Sequence, residues 1–267
     1  MLPWLIVLTL AAVYGSRWLP HLQVGADGAF SLVGGGLPLP AATDRTYPRP
    51  GVEELETRLV PAVTTVDPGT GYAFQETQTD AAGVTVPVAW SPCRPVHLVV
   101  DPTGAPADFL TVVTTAAAEV SAATGLVLVV DGTTTEAAAP EREAYLPEQY
   151  GDRWAPALVR FTDDATVPGL AGDVVGLAGV QIVHDPTADR SFLVSGTVYL
   201  DSTLLADPSA TTWYPAVLRH ELGHLVGLDH VADPAQLMYP TTTVQTFQPG
   251  DLAGLALLGR GACAPGI

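Results

Sequence analysis

Lysine is absent from this 267-residue chain. All 11 basic residues are arginines, set against 28 acidic ones for a net charge of −17. From Tyr72 onward 22 acids face 7 arginines, so the acidity sits on the part with the most regular patterning. A field of that sign repels phosphate backbones and anionic headgroups, which argues against a nucleic-acid partner. Charged residues make up only 15% and hydrophobic residues 48%, enough apolar mass for a substantial core. Cysteine is scarce too, with Cys93 and Cys263 the only two. Their spacing excludes a CxxC metal or redox site. It leaves a disulfide joining the start of the globular region to its end, or two unrelated thiols. The apolar run Leu2 to Gly15 is shorter than the about 20 residues of a bilayer-spanning helix. It fits the hydrophobic region of a secretory signal, with Val13 and Gly15 small enough for cleavage before Ser16. No arginine precedes the run and Arg17 follows it, so an uncleaved membrane tether through residues 2–15 stays open. Either way an extracellular or cell-surface location is expected.

Residues 16–71 read as a Pro/Gly-rich tether or pro-segment. Leu32 to Gly51 carries neither a helical nor a strand period, and Val52 to Val60 fits a short helix of two turns. A domain is expected over 72–267, with no internal repeat. Pro95 to Asp101 is a strand. Ala107 to Ala123 is a helix, with Phe109, Val112, Val113, Ala116 and Val120 on one face and Gly125 at its C-terminal cap. Leu126 to Val130, Ala157 to Asp163, Leu177 to Val183 and Phe192 to Asp201 add four strands between Gly-, Pro- and Asp-rich loops. Trp213 to Val226 and Asp251 to Leu258 close the chain as helices, the second with Asp251 at its positive end. One sheet with helices packed against it is the economical architecture.

Three of the six histidines lie in HELGHLVGLDH, at 220, 224 and 230. His220 and His224 are one helical turn apart on one face, so both imidazoles reach a single ion. Zinc takes nitrogen ligands at about 2.0–2.1 Å in a tetrahedral shell. Glu221, beside the first histidine, is placed to contact a water without being a ligand. Gly227 falls where the helix must stop and turn, and a residue free to take positive φ suits that corner. The turn returns His230 as a third ligand. Three protein ligands leave a fourth position open, as in catalytic rather than structural zinc sites.

The spacing HExxHxxGxxH followed by LMYP, Leu237 to Pro240, resembles the metzincin peptidases and within them the matrixins. WSPCRPVHLVV, the helix from Ala107 and the loop Asp131 to Glu136 are similar to exported bacterial matrixin-like proteins. The resemblance implies an α+β, zincin-like fold: one twisted, mostly parallel five-stranded sheet with packed helices, and an active-site helix followed by a Met-turn. It implies one catalytic zinc and an endopeptidase with Glu221 as general base. Met238 would floor the site, and Pro240 with Thr241 to Thr243 would line the pocket beyond the cleaved bond. An extended substrate, protein or peptide, would pair with Leu177 to Val183, and a monomer is expected. The alternative is an exported zinc-bound module that binds peptides without turning them over.

The departures from the family matter. His97 reads as an ordinary sheet residue and His184 as a loop histidine, too few for the second, structural zinc of matrixins. PRPGVEE, Pro48 to Glu54, has Pro50 where the matrixin latency motif has a zinc-binding cysteine, so either latency of that kind is absent or the likeness is accidental. Two readings stand for the clusters Asp163–Asp164 and Asp185–Asp189: calcium, which takes hard oxygen ligands, or solvated loop acids.

Overall fold

Strands buried on both faces read as unbroken apolar runs, and a strand at a sheet edge reads as an alternation. Both patterns occur here. The computed structural model describes residues 45–64, 70–207 and 209–267, so the apolar run of residues 2–15 lies outside the described residues. In chain order the elements are β1 (Ala73–Phe74), β2 (Thr77–Thr79), β3 (Thr85–Pro87), β4 (Ala89–Trp90), β5 (Val96–Asp101), α1 (Phe109–Thr124), β6 (Leu128–Thr133), α2 (Pro147–Tyr150), β7 (Ala157–Thr162), β8 (Gly176–Asp185), β9 (Arg190–Asp201), α3 (Ala210–Val226), β10 (Leu228–Asp229) and α4 (Pro249–Leu258).

The main sheet runs β8-β9-β7-β5-β6, parallel throughout except for β8, which folds back antiparallel on β9. The expected five strands are joined by a sixth, the two-residue β4, on the stretch of β9 at Phe192–Leu193 that β7 leaves free. The central strands β5, β7 and β9 are almost wholly buried, whereas β8 alternates between buried and exposed positions. Leu98, Val100, Val159, Phe161, Val198 and Leu200 face α1, α3 and α4 in the larger core. Val99, Leu158 and Tyr199, from the intervening positions, face the opposite side and meet Val167, Leu170 and Val174. That side is also closed by the loop after β6, pinned by a buried cluster. Arg142 clasps Glu136 with two nitrogens and reaches Ser195 Oγ at 3.2 Å, while Tyr150 donates to Glu136.

Helix α1 buries Phe109, Val113, Ala116, Ala117 and Val120 at helical spacing, and Gly125 closes it in the left-handed conformation, its N–H bonded to Ser121 O. Strand β6 begins two residues later than its apolar run, because the Leu126 N–H is held by Thr124 Oγ1.

The segment before Tyr72 differs from expectation in a second way. Val52 to Val60 is not a helix: Leu55 N–H bonds Cys93 O at 2.8 Å and Leu59 N–H bonds Pro92 O at 3.0 Å. Donors directed to the turn at Pro92 and Cys93 cannot also close helical turns. Residues 45–64 instead run across the domain as a belt. Arg49 N bonds Asp152, Gly51 N bonds Ile267 O, Glu54 accepts from Ser91 and from Ala264 N, and Arg260 donates to Val63 O. Cys93 and Cys263 form a disulfide beneath this belt, with Cα atoms 5.3 Å apart.

His97 lies in β5, bonded to Asp131 at 2.7 Å, as a sheet histidine. His184 is not in a loop. The β8–β9 hairpin continues through it to Asp185, where the turn begins. Asp185 is fully buried rather than solvated, accepting from the N–H groups of Thr187, Ala188 and Gly266. Among the described residues no helix is long and apolar enough to cross a membrane.

Candidate metal centre

Helix α3 sits between the sheet and the other helices, so its C-terminal half is buried all round. A histidine placed there must find a partner for each nitrogen or lose its hydration without compensation. His220 Nδ1 donates to Leu237 O at 2.7 Å and His224 Nδ1 to Leu228 O at 2.8 Å. A carbonyl only accepts, so each Nδ1 carries the proton and each Nε2 presents a bare lone pair. His230, just after β10, brings its Nε2 to 3.1 Å from that of His220 and 3.3 Å from that of His224. These three are the histidines whose ligand atoms converge among the described residues, and Glu221 is not in the group.

Bare nitrogens turned on one point repel unless a cation lies between them. A tetrahedral ion with nitrogens at about 2.0–2.1 Å holds them roughly 3.3 Å apart, and the observed separations match. Burial and mutual repulsion keep the imidazoles neutral, the form that binds metal. His220 is held well below the usual histidine range, His224 falls to about 3, and His230 is lowered by burial. The donor set therefore fits zinc.

The corner between the second and third histidines is made by Gly227 at φ 116°, which closes α3 with its N–H on Gly223 O and His224 O. A side chain at this angle would be strained, and its Cβ would also lie 2.9 Å from Leu258. Glu221 is 2% exposed, and burial pushes its carboxyl up to about 8 against the pull of a hydrogen bond from the Ala178 backbone. Met238 is buried with its sulfur against Gly223, in the turn of helix between His220 and His224. Pro240 follows, half-buried.

Residues 153–255, from just before β7 into α4, match the matrixin family of peptidases. The matched segment of the chain contains the whole histidine stretch, from His220 to His230. Two solved structures are similar to this chain at lower resemblance. One is metalloproteinase-II from Bacteroides fragilis, 16% identical over 61% of this chain with a TM-score of 0.37. The alignment spans 52% of that protein, about half its length. The other is a zinc-dependent peptidase from Methanocorpusculum labreanum, 18% identical over 60% of this chain and 98% of that one, with a TM-score of 0.31. No curated protein sequence matches this chain.

Supports of the histidine site that sequence reasoning missed come from distant segments. Asp251, read only as a favourable charge at the start of α4, accepts from Leu237 N at 2.8 Å and Met238 N at 3.2 Å. It also caps its own helix by accepting from Gln248 N, and Gly250 N donates to Gln236 Oε1. The Met-turn is thus fastened to α4, and Leu237 passes that order on to His220. On the other side of the centre β1 pairs with β10, and Gln75 N bonds Gly227 O, which fixes the segment that ends at His230. Neither partnership leaves a spacing in the sequence. Only the acidic residue at a helix start offered a signal.

Proposed function

We propose that the chain is an exported zinc endopeptidase that cuts extended segments of proteins or peptides. The single observation that carries this is the convergence of the His220, His224 and His230 Nε2 atoms beside a buried Glu221. When bound there, zinc lowers the pKa of water to about 7 and polarises a carbonyl. The protein's own residues do the rest. Leu237 O and Leu228 O hold two imidazoles in the ligating tautomer. Glu221 takes the proton of the attacking water and delivers it to the departing amine. Its burial raises its proton affinity toward that task. Among the described residues strand β8 pairs only with β9, so its other edge offers N–H and C=O groups to an extended chain. Pro240 and Thr241 to Thr243 lie on the far side of the histidines in sequence and would line the pocket beyond the cut.

The proposal includes the extent of the domain. The belt of residues 45–64 belongs to it, since Glu54 lies 3.8 Å from Arg94 with both side chains buried. Removing a partner of a buried pair leaves an uncompensated charge, which costs about 3–5 kcal/mol. A chain starting at residue 72 is therefore expected to melt at least about 5 °C below one starting at 45 in calorimetry. Equal midpoints would return the belt to the status of a tether. Export is supported by the apolar run Leu2 to Gly15 and by the disulfide, which oxidising compartments preserve.

The function is tested on residues 45–267 by measuring zinc per chain and casein cleavage with and without a chelator. About one zinc and chelator-sensitive cleavage are expected, with both lost in His224→Ala. Stoichiometric zinc with no cleavage of any peptide library favours the peptide-binding module. Absence of zinc binding sinks both.

A further inference from the structure

A glycine at the first position of an edge strand needs a reason, because strands favour side chains that pack. Gly176 opens β8, opposite Leu200 of β9, and is buried. Its backbone is not in the left-handed region, so conformational freedom is not what it supplies. What it supplies is room. A Cβ at this point would lie 2.6 Å from Glu221 Oε1, 2.9 Å from Glu221 Cγ and 2.9 Å from Val217 Cγ1. That places a methyl about 1 Å inside the separation at which non-bonded heavy atoms rest. Glu221 cannot swing out to solvent to make way, since it is 2% exposed and Val217 borders the same space.

We infer that Gly176 is a positioning residue for Glu221. The absent side chain sets where the carboxylate stands. This rests on the reading of Glu221 as the proton carrier. The edge strand thereby has a duty besides offering its open side to an extended chain: its first residues form the wall that aims the glutamate.

The test is Gly176→Ala in the 45–267 chain. A displacement of about 1 Å at a reacting group costs on the order of 10²-fold. The expected result is a kcat about 10- to 100-fold lower with KM within about twofold and zinc content unchanged. In a Glu221→Asp background, where the shorter side chain frees the space, the same change is expected to cost less than about threefold. A second readout needs neither metal nor turnover. In chelator-treated protein Gly176→Ala lowers the melting midpoint, and Glu221→Ala removes most of that loss. Wild-type kcat in Gly176→Ala, alongside an inactive Glu221→Ala, overturns the inference while leaving the peptidase reading intact. An equal loss of midpoint in both backgrounds overturns it too, assigning the clash to Val217. A fully active Glu221→Ala instead overturns the role of Glu221 itself.

Discussion

Glu221→Gln is expected to abolish peptide hydrolysis, with kcat down by about 10³-fold or more, while zinc stays bound. General acid–base catalysis by one positioned group contributes about 10²–10⁴-fold, and here the group would act on both the attacking and the departing atoms. The three converging nitrogens belong to other residues, so the metal content is expected to be untouched. Glutamine keeps the volume that fills the space beside Gly176 and Val217, which separates lost proton transfer from lost packing. Turnover of a fluorogenic peptide and zinc analysis on the same sample check this. An active Glu221→Gln protein would require another base.

The second large effect concerns stability. Replacing both Cys93 and Cys263 by serine is expected to cost about 4–5 kcal/mol, seen as an earlier midpoint in guanidinium or urea unfolding. The bridge closes a loop of sequence separation 170, and constraining so long a loop in the unfolded chain carries the larger part of the effect. In the folded chain the same bridge stands where Leu55 bonds Cys93 O and Glu54 accepts from Ala264 N, so its loss also loosens the belt. For a domain of this size the shift is roughly 10–20 °C in melting temperature. An unchanged midpoint would show that the belt and core hold these segments together unaided.

The metal centre was legible because its parts are local. His220, Glu221, His224, Gly227 and His230 follow from one helix, one corner and the 3.6-residue period. The central strands were legible for a related reason: burial on both faces leaves apolar runs that polar loops interrupt. What escaped is held by partners far away in sequence. Val52 to Val60 has a helical composition, but its N–H groups go to residues 92 and 93, and composition carries no record of that. The two-residue strands β1, β4 and β10 are too short for any period. The hairpin of β2 and β3 is polar and two-sided, and Gln78 ties it to Ser191 by an amide that no pattern announces. Asp185 read as a solvated loop acid because its three N–H partners include Gly266, some eighty residues on. Gly176 looked like any loop-to-strand glycine until Glu221 was seen against it.

The belt has a consequence in time. Its residues find partners late in the chain, Gly51 at Ile267 and Glu54 at Ala264, and so does β1 beyond it, Ala73 and Phe74 at Asp229 and Leu228. Contacts of such separation form slowly, and during synthesis they cannot form until most of the chain has emerged. The β5, β6 and β7 strands can associate first, but the segment between Gly227 and His230 is secured only when β1 and Gln75 pair with it. Nascent chains would thus carry all three histidines before they could grip an ion, and the capacity to cut would arrive last.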